Sequence, residues 1–206
     1  MNRLIATGAA LGVVALMIAT YILGSRPGDD PFAQCGGSAI AGGSVGGPFS
    51  LIDGEGNAVT DTDVLTSPSL VYFGYTFCPD VCPLDNARNA LAVDVLEESG
   101  ADAQPVFISI DPDRDTPDVM RDYAFNVHSR MVALTGTPEQ VAAAARAYRV
   151  YYKKQDGDPD YYLVDHSTFT YLALPGIGVV DFFRRDDSPE VVADRTECAI
   201  EVAAAN

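Results

Sequence analysis

The first pattern along the chain is an uncharged run from Leu4 to Ser25. At 1.5 Å of rise per residue it is long enough to cross roughly 30 Å of hydrocarbon. No face of it is polar, which argues against a buried core helix. It is longer than the core of a signal peptide and is not followed by a small-x-small cleavage site, so residues 1–25 are expected to form an uncleaved membrane anchor. The free N-terminus and Arg3 on one flank favour a cytoplasmic start, with the bulk of the chain on the other side.

Gly24 to Pro48 is rich in Gly, Ser, Pro and Ala and has no apolar period. Residues 26–48 therefore read as a flexible tether, and residues 49–206 as one domain. The domain opens with two short strands, Phe49 to Asp53 and Ala58 to Thr60, around Gly54-Glu55-Gly56-Asn57. Leu70 to Gly74 is a near-continuous apolar run, as in a central strand buried on both faces. A helix is predicted over Val81 to Glu98, with Leu84, Ala87, Leu91 and Val95 as its inward stripe and Gly100 just past its end. Pro105 to Ile110 is the next buried strand, which completes a βαβ unit and implies a parallel pair.

Thr116-Pro117 and Thr137-Pro138 each place an N-cap before a first-turn proline. The helices they start carry the stripes Met120, Tyr123, Ala124, Val127 and Val141, Ala144, Ala145, Tyr148, with a short strand, Met131 to Leu134, between them. Val150 to Lys153 and Tyr161 to Val164 flank a polar turn as a hairpin-like excursion. Thr168 to Leu174 and Val179 to Phe183 are strands, and Ser188-Pro189 starts a last helix that runs to about Ala203. This order predicts an α/β, thioredoxin-like fold with N-terminal strand additions and a hairpin excursion, preceded by a single transmembrane helix.

Composition narrows the partners. Of 206 residues 48% are apolar, enough for a packed core, and the formal net charge is −16. Such a chain repels phosphate backbones, so nucleic acid is excluded as an expected partner. The only lysines are the neighbours Lys153 and Lys154. There are four cysteines, and a domain outside the cytoplasm tolerates disulfides. The remote pair, Cys35 and Cys198, is a candidate structural disulfide, provided that its α-carbons come within bonding range.

The close pair carries the sharper signal. Cys78-Pro79-Asp80-Val81-Cys82-Pro83 lies between the carboxyl end of a buried strand and the start of a helix. Ligands bind in that crevice of open α/β sheets. The free N–H groups and positive dipole end of a first helical turn favour thiolates. With three residues between them, both sulfurs can face one side of the turn, to share a metal ion or to close a redox disulfide. A third ligand separates metal from purely redox chemistry, and the chain has two histidines. His128 follows a helix and reads as a cap or surface group. His166, in Val164-Asp165-His166-Ser167, occupies the turn that faces the cysteine crevice in a thioredoxin-like fold. Redox thioredoxins need a proline there, and this chain has none between Asp160 and Leu174. Cys78, Cys82 and His166 are thus the candidate metal ligands, a soft set suited to Cu(I) and able to hold Cu(II) with a weak fourth oxygen. A structural zinc site would want a fourth protein ligand. Asp165 is the candidate for orienting the imidazole.

Read together, several motifs resemble the Sco/SenC family of copper proteins. They are Leu70-Val-Tyr-Phe-Gly-Tyr-Thr-Phe-Cys-Pro-Asp-Val-Cys-Pro83, Pro105-Val-Phe-Ile-Ser-Ile-Asp-Pro-Asp-Arg-Asp-Thr-Pro117, Leu134-Thr-Gly-Thr137, Tyr148-Arg-Val-Tyr-Tyr-Lys153 and Val164-Asp-His-Ser167. The resemblance runs from about Gly47 to Phe183. It implies Cys78, Cys82 and His166 as copper ligands, a single-span anchor and a non-enzymatic role in assembling the CuA centre of cytochrome c oxidase. The partners it implies are oxidase subunit II or a periplasmic copper chaperone, and the domain is expected to be monomeric. Thr66-Ser67-Pro68-Ser69 departs from the Gly-Lys that relatives often carry before the strand. Cys35 and Cys198 lie outside the family pattern. The short N-terminus, with no Arg-rich presequence, points to a bacterial inner membrane with the domain in the periplasm. The rival reading is a membrane-anchored thiol–disulfide reductase that keeps the oxidase copper-site cysteines reduced, using the same pair. A peroxidase of the peroxiredoxin type is weaker, because its nucleophile setting of Pro, Thr and Cys is not present. Asp111-Pro112-Asp113-Arg114-Asp115 borders the same face, either as a solvated turn into a capped helix or as an influence on the site.

Overall fold

The run Ser69–Gly74 forms β3, and all six of its residues are buried. An unbroken apolar strand of this kind needs cover on both faces, and the fold supplies it. The computed structural model describes residues 30–37, 45–158 and 161–205. A short hairpin, β1 (Ser50–Ile52) and β2 (Ala58–Thr60), leads through a single turn of helix, α1 (Asp61–Val64), into β3. Helix α2 (Val81–Ser99) then crosses to β4 (Gln104–Ser109), which lies parallel to β3. Helix α3 (Pro117–Val127), β5 (Val132–Leu134) and helix α4 (Pro138–Ala147) follow. The excursion is β6 (Tyr152–Lys154) paired with β7 (Val164–His166), and the chain closes with β8 (Thr170–Leu174), β9 (Gly178–Phe183) and helix α5 (Pro189–Ala205).

The five-stranded sheet has the order β5-β4-β3-β8-β9, parallel on the β4–β5 side and antiparallel on the β8–β9 side. This is the expected thioredoxin-like arrangement, with β1–β2 as the N-terminal addition, bridged to the body through Ile52 and Thr135. One core cluster packs Tyr72, Phe107, Met120, Leu134 and Tyr148. The other packs Leu70, Leu96, Leu172, Phe183 and Val192 beneath α2 and α5. The caps fall where the sequence put them: Thr116 accepts from the Val119 N–H, and Thr137 and Gln140 form a capping box.

Three expectations need correction. The predicted inward stripe of α2 largely faces outward, with Leu84 61% and Leu91 54% exposed and Ala87 exposed beside them, while Val95 is half-buried. The buried residues are Cys82, Asp85, Asn86, Arg88, Asn89, Ala90, Ala92, Val93 and Leu96. The first half of this set is polar because it meets polar partners on β3, β8 and the segment after β9, so apolarity alone selects the wrong side. Secondly, the segment assigned to a flexible tether contains a fixed part. Pro31–Cys35 is a 3-10 helix capped by the Asp30 side chain, ended by Gly36 at φ 75°, and bonded through Cys35 to Cys198 on α5. The Cα–Cα separation of 5.6 Å meets the geometric condition for that disulfide. Local composition does not register a covalent closure 163 residues away. Thirdly, the excursion strands are shifted toward the C-terminus, Tyr152–Lys154 and Val164–His166 in place of Val150 to Lys153 and Tyr161 to Val164, so that His166 pairs with Tyr152 on the strand itself. The predicted anchor, residues 1–25, lies outside the described residues, and no described helix is long and apolar enough to cross a membrane.

Candidate metal centre

Strand β3 ends at Gly74, and its geometry fixes what can stand beside it. A Cβ at Gly74 would lie 2.8 Å from Cys82 Sγ and 2.9 Å from rings of Tyr72 and Phe107. Glycine thus makes room for the sulfur at the sheet edge. The next segment is pinned from below. Asp115, fully buried, accepts from the Thr76 N–H at 3.1 Å, the Thr76 hydroxyl at 2.5 Å and the Ser109 hydroxyl at 2.5 Å. Asp111 accepts from Arg114 Nε and the Tyr162 hydroxyl, both at 2.5 Å. The 111–115 turn is therefore no solvated surface turn. It is the support of the residues that lead into Cys78.

Helix α2 starts without a side-chain cap from Asp80. Cys78 takes that place: its sulfur accepts from the Cys82 N–H at 3.4 Å. From 84 residues downstream His166 reaches the same spot, with Nε2 3.4 Å from Cys82 Sγ. The three donor atoms lie within 4.8 Å of one another. An ion about 2.0–2.3 Å from each donor would need only small side-chain adjustments to be shared by all three. Among the described residues no fourth His, Cys, Asp or Glu joins the group.

Electrostatics divides the two thiols. Burial opposes ionisation of Cys78, but hydrogen bonds from the N–H groups of Asp80, Cys82 and Val81 outweigh it and lower its pKa. Cys82 is 1% exposed, and burial pushes its thiol far up, reinforced by the charge on Cys78. Cys82 is thus the harder of the two thiols to ionise, and a side-chain hydrogen bond between the two sulfurs acts in the same sense, lowering Cys78 and raising Cys82. The His166 Nδ1 donates to the Ser167 carbonyl at 2.8 Å, which can only accept, so Nε2 carries the lone pair. Burial lowers the His166 pKa and keeps the ring neutral. Tyr72 and Tyr75 present their rings edge-on to the imidazole, at 6.2 and 5.9 Å between centroids. The sequence thus brings Cys78, Cys82 and His166 together as expected.

Asp165 does not orient the ring. It is exposed and accepts from Gln155 Nε2 at 2.7 Å, and the Ser167 carbonyl does the orienting. Adjacent strand residues point to opposite faces, so a neighbour in sequence is poorly placed to serve His166. His128 stands apart from the site, capping α3 and meeting Asp94 at 3.1 Å. Sequence reasoning missed Tyr72, whose hydroxyl lies 4.0 Å from Cys82 Sγ and 3.0 Å from Asp85. A usable signal existed: Asp85, Asn86 and Asn89 follow Cys82 at three, four and seven residues, the spacing of one helical face.

A family model described as SCO1/SenC matches residues 38–201. The chain belongs to the SCO1/SenC family. Among its relatives, Protein SenC of Rhodobacter capsulatus is 50% identical over 200 residues, covering 96% of this chain and 89% of the relative. The mitochondrial SCO1 homolog 1 of Arabidopsis thaliana is 41% identical over 152 residues, covering 73% of this chain but 46% of its own length. Of solved structures, Arabidopsis thaliana ScoI with copper bound superposes with a TM-score of 0.72 at 40% identity, covering 76% of this chain and 99% of that one. Yeast Sco1 with copper bound gives 0.72 at 37% identity, covering 77% and 90%. Two of the SCO1/SenC structures that this domain resembles thus carry copper, and the Cys-Cys-His group here is a donor set that fits that ion.

Proposed function

We propose that this SCO1/SenC protein is a membrane-anchored copper carrier that binds copper through Cys78, Cys82 and His166 and delivers it to the CuA site of cytochrome c oxidase during assembly. The observation that carries the reading is the convergence of two sulfurs and a neutral imidazole nitrogen within 4.8 Å. Soft thiolates with one imidazole suit Cu(I) in three-coordination. Loading replaces the Cys82 thiol proton, and any proton on Cys78, by the metal, so affinity weakens as pH falls. A three-donor site suits transfer, because an incoming thiolate can bind before an old one leaves. Cys78 and His166 are less buried than Cys82 and form the side from which exchange starts. The uncharged run Leu4 to Ser25 and the Cys35–Cys198 disulfide both support a single-pass protein of the bacterial inner membrane with its domain in the periplasm.

One observation favours the reductase reading: a lowered pKa at Cys78 beside a buried Cys82 is the pattern of an attacking and a resolving thiol. His166→Ala separates the two. In a carrier, this variant lowers Cu(I) affinity by more than the roughly 10–100-fold typical of losing a supporting hydrogen bond, while thiol–disulfide exchange persists. Metal analysis of the reduced, copper-loaded wild type and variant measures this. Equal copper content and affinity in both would defeat the carrier reading.

A further inference from the structure

Six residues beyond Cys82, helix α2 buries a guanidinium that the site as described does not use. Arg88 is 7% exposed. Its Nη1 donates to the Arg184 carbonyl, just past β9, at 2.5 Å. Its Nη2 donates to the Thr170 hydroxyl, at the start of β8, at 2.7 Å, and both Nε and Nη2 reach Asn89 Oδ1 at 3.3 and 3.0 Å. Asn89 Nδ2 also lies 3.0 Å from the Thr170 hydroxyl. Toward the sulfurs, Asp85 stands 4.0 Å from Arg88 and 3.7 Å from Arg185 and accepts from Tyr72, whose hydroxyl borders Cys82 Sγ. A connected polar seam thus runs from the base of β8 to the metal-binding helix.

A buried charge of this kind is a poor way to gain stability. Desolvation offsets most of what pairing contributes, and an apolar side chain of similar size would pack as well. What the fork of a guanidinium offers is geometry, because its donors point in fixed directions at two separate chain segments. Those segments matter here. Thr170 follows His166 by four residues, while His166 itself is held by the ladder to Tyr152 and Ser167 by the Tyr151 N–H donating to its hydroxyl at 3.1 Å. Arg88 holds the Thr170 end.

We propose that Arg88 is a positioning residue for the metal centre: it clamps the strand that follows His166 to the helix that carries Cys82, and so sets the separation of their donor atoms. The proposal rests on the reading of Cys78, Cys82 and His166 as copper donors. Its test is a double-mutant cycle on the full chain in detergent, with Cu(I) affinity read by competition against a chromophoric chelator. Arg88→Met and the near-isosteric Thr170→Val are each expected to weaken Cu(I) binding about 10–100-fold. In a His166→Ala background neither is expected to weaken it further. The 15N resonances of the His166 ring in the metal-free protein are expected to shift in both variants, which a readout of stability alone would not require. Equal losses with and without His166, or folded variants that bind as wild type, would overturn the proposal. If Arg88→Met does not fold, Thr170→Val decides alone. Wild-type affinity in His166→Ala would sink the donor reading and the clamp with it, whereas a strong His166 effect without an Arg88 or Thr170 effect removes only the clamp.

Discussion

Replacing Cys35 and Cys198 together by serine is expected to cost about 5 kcal/mol of domain stability and to leave copper binding unchanged. The bond closes a loop with a sequence separation of 163 residues. By chain-entropy reasoning a closure of that length removes about 5 kcal/mol worth of freedom from the unfolded chain at 25 °C. Both cysteines are only half-buried, so the substitution leaves little cavity in the folded state to add to the figure. Measured against a typical domain stability of about 5–15 kcal/mol, this is a large share. At a urea slope of about 2 kcal/mol/M, the unfolding midpoint falls by roughly 2.5 M. The assay is urea denaturation of wild type and variant followed by circular dichroism, with Cu(I) affinity measured alongside. Neither the 3-10 helix nor α5 carries a donor atom, so affinity holds wherever the variant is folded. A midpoint shift below roughly 0.5 M, about 1 kcal/mol at that slope, would refute the reasoning. It would mean that residues 31–35 are free of the domain in solution, as the composition of that stretch first implied.

Gly74→Ala is expected to displace Cys82 or the rings around it, because the added methyl has no room within 2.9 Å, and Cu(I) affinity measured by chelator competition should fall with it. Alkylation of the metal-free protein by iodoacetamide should titrate below the ordinary thiol range for Cys78 in Cys82→Ser and above it for Cys82 in Cys78→Ser, the reverse order being incompatible with the hydrogen bonds described. His166 has a folded-state pKa below its ordinary value of 6.5, so its contribution to stability is complete above that pH and is lost as pH falls toward the lowered value. Chemical denaturation as a function of pH should show that loss in wild type and a flatter profile in His166→Asn. Asp115→Ala leaves the buried Ser109 hydroxyl and two partly buried Thr76 donors without their carboxylate and is expected to destabilise by about 3 kcal/mol, whereas a loss under about 1 kcal/mol would mean that water replaces the carboxylate.

What the sequence determined about this protein is what local physics determines. A continuous apolar run made β3 a central strand, a threonine before a proline made a helix start, and two cysteines at a strand-to-helix junction made a thiolate site. Each rests on interactions within a few residues, so the pattern contains its own cause. The meeting of His166 with the cysteine pair was also legible, because only two histidines exist and one stands where a thioredoxin-like fold turns toward the cysteines. The tertiary structure decided the rest. It turned Leu84 and Leu91 outward and Asp85 and Asn89 inward, gave the orientation of the imidazole to the Ser167 carbonyl instead of Asp165, and tied Cys35 to the last helix. Buried polar side chains explain the difference. Their placement is favourable only if a partner meets them, and for Arg88 and Asn89 that partner, Thr170, lies more than 80 residues away. No periodicity within one helix contains that information, so which face of α2 is buried became known only once the chain had folded back upon it.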